Sequence, residues 1–358
     1  MVGELPGIGP GDVDTSAPSQ WRYAAALALP ELAPVSLGEG RTPLLERELA
    51  GLRVLLKNEA VNPTASFKDR GTTVMVSALR AQGVKAILED SSGNGGSSVA
   101  AYAAAAGMRA TILTPETTSP SKITQSRLHG ASVELIPGSR QDTADEALRR
   151  SRSVFYSSHN WHPQFLEGTK LIAYEIWEDL GFTAPSVIVT PAGAGSLVLG
   201  CAIGFGELHR AGAISRVPRI LVSQPARCGP LVAALQAGDD EVSPGDWTPT
   251  MAEGTSIARP VRDREVLAAI RASGGAATAV AENDLGPAVL ELARTGIYTE
   301  PTSAQIVPAL RRFAASGQIT PDDQVVAIVT GSGLKAGAVM ARLAETACRQ
   351  VLGPLTST

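Results

Sequence analysis

Residues 85–107 read KAILEDSSGNGGSSVAAYAAAAG, a strand, a glycine-rich turn and a helix in succession. Lys85 to Glu89 is a short apolar run of strand length. Asp90 to Gly96 carries the serines, glycines and asparagine of a tight turn. Ser97 to Ala106 reads as a helix so rich in alanine that it must pack closely on a neighbour, and Gly107 ends it. Working outward, the unit recurs. Leu52 to Leu56 reads as a strand, and Asp69 to Gln82 as a helix closed by Gly83. Ala110 to Thr114 and Ser132 to Ile136 read as strands, Pro120 to Leu128 and Thr143 to Arg152 as helices. In the second half Ser186 to Thr190, Arg219 to Ser223, Thr278 to Val280 and Gln324 to Val329 are the expected strands. Leu197 to His209, Arg262 to Ala272, Leu285 to Thr295, Ser303 to Ser316 and Gly337 to Gln350 are the expected helices. A run of βα units predicts an α/β fold of open, twisted, parallel sheets covered on both faces. Ligands of such sheets sit at the carboxyl ends of the strands, so the chemistry is expected in the turns just after them.

The 358 residues are 18% charged and 44% hydrophobic, ordinary for a globular protein and enough for two domains or one domain with a lobe. A net charge of −4 leaves no electrostatic footprint for nucleic acid or an anionic membrane. No run approaches the roughly 20 apolar residues of a membrane span. The start lacks the basic residues and apolar block of a signal peptide. Residues 1–20, rich in Gly, Pro, Asp and Ser, are expected to form a mobile arm. Cys201, Cys228 and Cys348 are too widely spaced for a disulfide framework or a zinc site, which points to a reduced, cytoplasmic protein. His159 and His162 lack nearby Cys, Asp or Glu in sequence, so no metal is expected there.

Three turns stand out. Asn62-Pro63-Thr64-Ala65-Ser66-Phe67-Lys68-Asp69-Arg70-Gly71 follows a strand and enters a helix. Lys68, one of only six lysines, sits there beside an apolar ring among small residues. Such a lysine can lose its proton and act as an amine nucleophile; a solvated lysine at a helix start beside Asp69 is the competing reading. Asp90-Ser91-Ser92-Gly93-Asn94-Gly95-Gly96 combines backbone N–H groups with a helix start, a cradle for carboxylate or phosphate. A plain βα turn capped by serine reads equally well. Pro191-Ala192-Gly193-Ala194-Gly195-Ser196-Leu197 is a second such nest. Its rival reading is a dinucleotide fingerprint, but the glycine spacing is wrong by two residues, and the next strand ends in Ser223-Gln224 rather than an acid.

With Leu37-Gly38-Glu39-Gly40-Arg41-Thr42-Pro43-Leu44, Glu167-Gly168-Thr169-Lys170, Glu300-Pro301-Thr302-Ser303-Ala304 and Thr330-Gly331-Ser332-Gly333-Leu334-Lys335, these turns carry a resemblance. From about Trp21 to Cys348 the sequence resembles the threonine synthase branch of the fold-type-II pyridoxal phosphate enzymes. That group includes tryptophan synthase β chains, cysteine synthases and threonine dehydratases. The resemblance implies two open twisted-sheet domains: a large cofactor-binding one of residues 21–71 plus 159–358, and a small substrate-side one of residues 72–158. It implies pyridoxal 5'-phosphate as cofactor, a small amino acid as substrate, and a homodimer. It makes Lys68 the Schiff-base lysine and Asn94 the partner of the cofactor's 3-hydroxyl oxygen. Gly193, Ala194, Gly195, Ser196 and Leu197 become the phosphate loop, and Thr330 the hydroxyl facing the pyridine nitrogen. Ser91, Ser92, Gly93 and Gly95 fall on the substrate-carboxylate loop.

The sequence also departs from the pattern. The family's phosphate-binding arginine, three residues before Gly168, is Phe165; family asparagines are replaced by Ala194 and Leu197; and a threonine after Asn94 is replaced by Gly95. Arg70, Arg227 and Arg259 are the candidates for a cation from another direction, and His159 and His162 are expected to border the substrate side. The implied function is a threonine synthase-like lyase acting on O-phosphohomoserine or a related γ-substituted amino acid. The alternatives are a β-eliminating or β-replacing enzyme, such as a serine/threonine dehydratase or a cysteine or cysteate synthase-like protein, and a non-catalytic homologue that keeps the fold.

Overall fold

In the computed structural model, which describes residues 5–352 apart from Pro30, Ser92 and Ser119, two open sheets carry the fold. The larger begins with a hairpin, β1 (Leu44–Leu49) and β2 (Leu52–Asn58), joined through Ala50 and Gly51. Both turn residues have positive φ, 56° and 74°, as a two-residue type I′ turn requires. Next come α1 (Lys68–Ala81), β3 (Ala86–Asp90), α2 (Asn94–Ala105), β4 (Arg109–Pro115), α3 (Pro120–Leu128), β5 (Ser132–Ile136), α4 (Arg140–Arg150) and β6 (Phe155–Tyr156). Strands β5-β4-β3-β6 form the smaller, all-parallel sheet.

The chain returns through α5 (Pro163–Asp179), β7 (Val187–Pro191), α6 (Ser196–Arg210), β8 (Arg219–Pro225), α7 (Pro230–Ala237), α8 (Asp263–Ala272) and β9 (Ala276–Val280). It ends with α9 (Glu282–Arg294), α10 (Pro301–Ala304), α11 (Ile306–Ala315), β10 (Val325–Val329) and α12 (Gly337–Leu352). The larger sheet has the order β1-β2-β10-β7-β8-β9, parallel except at β1–β2. Alternate residues of one strand feed two different cores. Ile188 joins the cluster around α5 and α6, while Val187 and Val189 join the cluster around α9 and α11. Both faces are covered, which is why these strands read as unbroken apolar runs.

Several expected elements differ. The segment expected as a mobile arm is packed where it is described: Ile8 and Val13 are buried in the α5–α6 core, and Gln20 Nε2 donates to the Arg70 carbonyl at 2.7 Å. Helix α2 starts at Asn94 rather than Ser97, which brings Asn94 and Gly95 into its first turn. The single helix expected from Ser303 to Ser316 is broken at Gln305, because Pro308 has no N–H to offer the preceding turn. Helix α5 was not expected at all; its residues are buried nearly all round, so it shows no apolar stripe. Among the described residues, no helix is long and apolar enough to cross a membrane.

Candidate functional site

The carboxyl ends of β2, β3, β7 and β10 lead to the three turns and to Thr330, and all of them meet at one cleft of about 1410 Å³. Lys68, Ser91, Gly93, Asn94, Gly95, residues 193–197 and Thr330 line it; Ser92 lies outside the described residues. The Lys68 turn is pinned from both sides. Phe67 N–H donates to the Thr330 carbonyl at 3.0 Å, and the buried Asp69 carboxylate accepts from Thr64 N, Thr64 Oγ1 and Ser98 Oγ, each at 2.6 Å. Burial raises the Asp69 carboxyl to about 6 against the pull of those hydrogen bonds.

Lys68 opens α1, and its Nζ lies 4.6 Å from the Phe67 ring centre and 5.6 Å from that of Phe165. Burial brings its ammonium down to about 8, against the attraction of Glu89 and Glu300. A neutral amine is therefore within reach near neutral pH, as nucleophilic or basic work requires.

Opposite it, Asn94 Nδ2 donates to Glu300 Oε1 at 3.0 Å. Ser303 Oγ accepts the N–H groups of Thr330 and Gly331, both at 2.9 Å, and contacts Thr330 Oγ1 at 2.7 Å. With both lone pairs of Ser303 occupied, its own proton has two acceptors in reach, Thr330 Oγ1 at 2.7 Å and the Gly331 carbonyl at 3.3 Å, and the shorter contact takes it. The Thr330 O–H is then left to donate into the cleft.

The 193–197 loop closes on the start of α6. Gly195 has φ +85°, and a Cβ there would stand 2.2 Å from Val266 Cγ2; one on Gly193 would stand 2.9 Å from the Gly254 carbonyl. Bare backbone and a helix start make an anion cradle, and the close approach of Val266 and Gly254 leaves its glycines no room for side chains. These parts fit a phosphorylated pyridine aldehyde: an amine, a phosphate nest, and a hydroxyl donor for a ring nitrogen. Gly195→Ala is expected to lower stability by at least ~1–2 kcal/mol from the left-handed backbone alone. It should also release pyridoxal phosphate during dialysis that the wild type survives, measured by absorbance.

Other expectations are rearranged. Arg70 is no source of charge for the cleft. It is fully buried, and its guanidinium is held by Glu59 at 2.6 Å and Glu175 at 2.7 Å. Arg227 lies outside the cleft and donates to the Pro249 carbonyl at 3.1 Å, whereas the exposed Arg259 lines the cleft. Phe165 is fully buried over Gly71, where a Cβ would come within 2.5 Å of the ring. His159 lines the cleft, but His162 caps α5 by accepting Gln164 N–H at 3.2 Å. Reading the sequence residue by residue misses Ser303 and Glu89. Ser303 sits inside the Glu300 to Ala304 motif, and Glu89 is an acid ending an apolar strand, which is the available signal for it.

A family model described as pyridoxal-phosphate dependent enzyme matches residues 35–331. The chain is 36% identical over 331 residues to the threonine synthase of Methanosarcina acetivorans, covering 90% of this chain and 81% of that one. It is 34% identical over 310 residues to the threonine synthase of Mycobacterium tuberculosis, covering 84% of each. Among solved structures it is similar to a threonine deaminase from T.th., with TM-score 0.69 and 25% identity over 88% of this chain and 98% of that one. Maize serine racemase, at TM-score 0.72 and 20% identity over 94% of this chain and 99% of that one, shares the fold. With the amine, the phosphate nest and the hydroxyl donor already gathered in one cleft, the match leaves one conclusion: the chain belongs to the pyridoxal-phosphate dependent enzyme family, and pyridoxal 5'-phosphate is its cofactor.

Proposed function

We propose that this protein is a lyase of the threonine synthase type, acting on a small γ-substituted amino acid such as O-phosphohomoserine. The observation that carries the reading is the meeting of Lys68, Asn94, Thr330 and the 193–197 loop in one cleft of a chain 36% identical to a threonine synthase. When bound, pyridoxal phosphate supplies an aldehyde for amines and an electron sink for charge at the substrate's α-carbon. The chain's own residues do the rest. The N–H groups of residues 193–197 and the start of α6 hold the phosphate. Asn94, fixed by Glu300, orients the ring's hydroxyl side. The Thr330 hydroxyl would face the ring nitrogen as a neutral donor in place of a carboxylate. Lys68 is the amine that anchors the cofactor and then takes the α-proton. Ser91, Ser92, Gly93 and Gly95 receive the substrate carboxylate at the start of α2. The Phe67 and Phe165 rings lie against the Lys68 amine and limit water on that side, while its other side opens to the cleft.

A second reading, β-elimination from serine or threonine, is favoured by Phe165 standing where a phosphate-binding arginine is expected. Inorganic phosphate release from O-phosphohomoserine, measured beside ammonia release from serine and threonine, separates the two. Phosphate together with threonine supports the leading reading, and ammonia alone supports the second. Holoenzyme that turns over none of these substrates sinks both. We further propose a cytoplasmic homodimer, the compartment being supported by the free, buried thiols of Cys201 and Cys228.

A further inference from the structure

We infer that His159, backed by Glu89, is a catalytic acid–base group that moves the proton on the oxygen attached to the substrate's β-carbon. The inference rests on the lyase reading and extends it to a pair of residues which that reading leaves without a task.

The pair is built into the cleft wall. His159 Nδ1 lies 2.5 Å from Glu89 Oε1, and His159 N–H donates to Glu89 Oε2 at 3.3 Å. Glu89 is fully buried at the end of β3, and His159 is 9% exposed. A Cβ on Gly95 would stand 2.9 Å from His159 Cε1 and 2.9 Å from Ser91 Oγ, so the imidazole fills the space that a side chain at 95 would need. The ring therefore borders the loop assigned to the substrate carboxylate. On its other side the Phe165 ring centre is 5.7 Å away. With Nδ1 committed to Glu89, Nε2 has no protein partner among the described residues.

Both candidate reactions make or break a Cβ–O bond. In the threonine-forming reaction, water adds to the β-carbon of a Cα=Cβ double bond: an O–H bond and the π bond break, a Cβ–O bond forms, the π pair moves to the α-carbon, and the proton passes to His159 Nε2. The proton on Nδ1 moves to Glu89 at the same time. In β-elimination the Cβ–O bond breaks, its electron pair stays on oxygen, and Nε2 gives the proton that lets the oxygen leave as water. Glu89 then returns its proton to Nδ1. Lys68 is occupied with the α-proton. Of the other cations lining the cleft, Arg140 is held by Asp90 at 2.6 Å, and Lys335 Nζ by Ser97 Oγ at 2.6 Å and Gln125 Oε1 at 2.5 Å, while Arg259 is exposed.

The charged and titratable groups facing the pair are Lys68 from α1, Asp90 from β3, Arg140 from α4 and the Tyr156 phenol from β6, which burial and the Asp90 and Glu89 charges hold well above its usual range. Burial pushes the Glu89 carboxyl up to about 8, and burial with the Lys68 charge holds the imidazole well below its usual 6.5. Below pH 8 the pair carries the proton it donates in elimination; above pH 8 it is ready to accept one from water.

The test uses holoenzyme and the amino acid that the wild type turns over. Exchange of its α-hydrogen with D₂O reports Lys68, and product formation reports the β-carbon step. His159→Gln is expected to lower product formation ~10²–10³-fold while α-exchange stays within a few-fold of wild type. Glu89→Gln, which keeps the neutral shape of the protonated acid, is expected to lose ~10-fold in product and to flatten the product-to-exchange ratio across pH 8. A parallel fall of both rates, or no fall in product, overturns the assignment. A wild type without turnover instead defeats the lyase reading itself. An activity-independent arm is ¹⁵N-histidine NMR. A His159 resonance that titrates near 6.5 and ignores Glu89→Gln also overturns the pair.

Discussion

Lys68→Met is expected to abolish turnover and, at the same time, to raise the melting temperature of the cofactor-free protein. The first effect follows from removing the amine that lies against the Phe67 and Phe165 rings. A loss of at least ~10³-fold is expected, since methionine can neither bind an aldehyde covalently nor carry a proton. The second effect follows from burial. The ammonium falls from its ordinary 10.5 to about 8, mainly because it is buried, with Glu89 and Glu300 pulling the other way. A folded-state value below the unfolded one means that holding the charge inside opposes folding. That penalty is fully present below pH 8, is relieved as pH rises from about 8 to 10.5, and is gone above that range. Lys68 keeps partial exposure to the cleft, which screens the charge, so the expected gain for methionine at pH 7 is ~1–2 kcal/mol. Thermal unfolding of both apoproteins at pH 7 and pH 10 checks this. A variant less stable than wild type at pH 7, or an advantage that grows with pH, contradicts the reading.

The parts of the site visible in the sequence share one property: they lie in turns directly after strands. The parallel sheets then bring Lys68, Asn94, Gly195 and Thr330 together without any further information. The invisible parts depend on distant pairing. Glu89 and His159 meet because the two-residue strand β6 pairs with β3, Leu88 opposite Tyr156, and carries the following loop alongside Asp90. Nothing local in Phe155-Tyr156 announces that partner. Helix α5 escapes for a related reason, since its buried Glu167, Lys170 and Glu175 look like a polar face until their partners are known. Lys170 Nζ is bound by Glu167 at 2.9 Å and by Glu207 at 2.8 Å, inside the protein. Arg70 misled in the same way: beside a candidate nucleophile it reads as a ligand for substrate, and only the fold shows its charge already matched.

Arg70→Ala is expected to be among the most destabilising single changes in the chain, and its damage to catalysis should follow from stability. The guanidinium lies two residues beyond Lys68 on α1 and joins separate parts of the chain. Nε donates to Glu59 Oε2 at 2.6 Å and Nη2 to Glu59 Oε1 at 2.8 Å. Nη2 also donates to Glu175 Oε1 at 2.7 Å, and Nη1 to Gln20 Oε1 at 3.3 Å. Burial alone would raise the Glu175 carboxyl, but the Arg70 and Lys57 charges overcome it and hold that group well below the usual carboxylate range. Alanine removes one cation and leaves two fully buried carboxylates, of which only Glu175 keeps Lys57, at 2.7 Å. Breaking one side of a buried pair costs about 3–5 kcal/mol. Arg70→Lys restores the charge without the two-pronged geometry, so it should recover part of that loss and not all of it. The pH dependence has a definite sign. In the wild type, a carboxyl held below its unfolded value contributes stability that is present above about 4.5 and lost as pH falls. In Arg70→Ala the stranded carboxylate is relieved by taking up a proton. The stability gap between the two proteins should therefore narrow as pH is lowered from 8 toward 5. Urea unfolding across that range measures the gap directly; a gap that is constant or widens toward acid would show that Arg70 acts through packing rather than through charge.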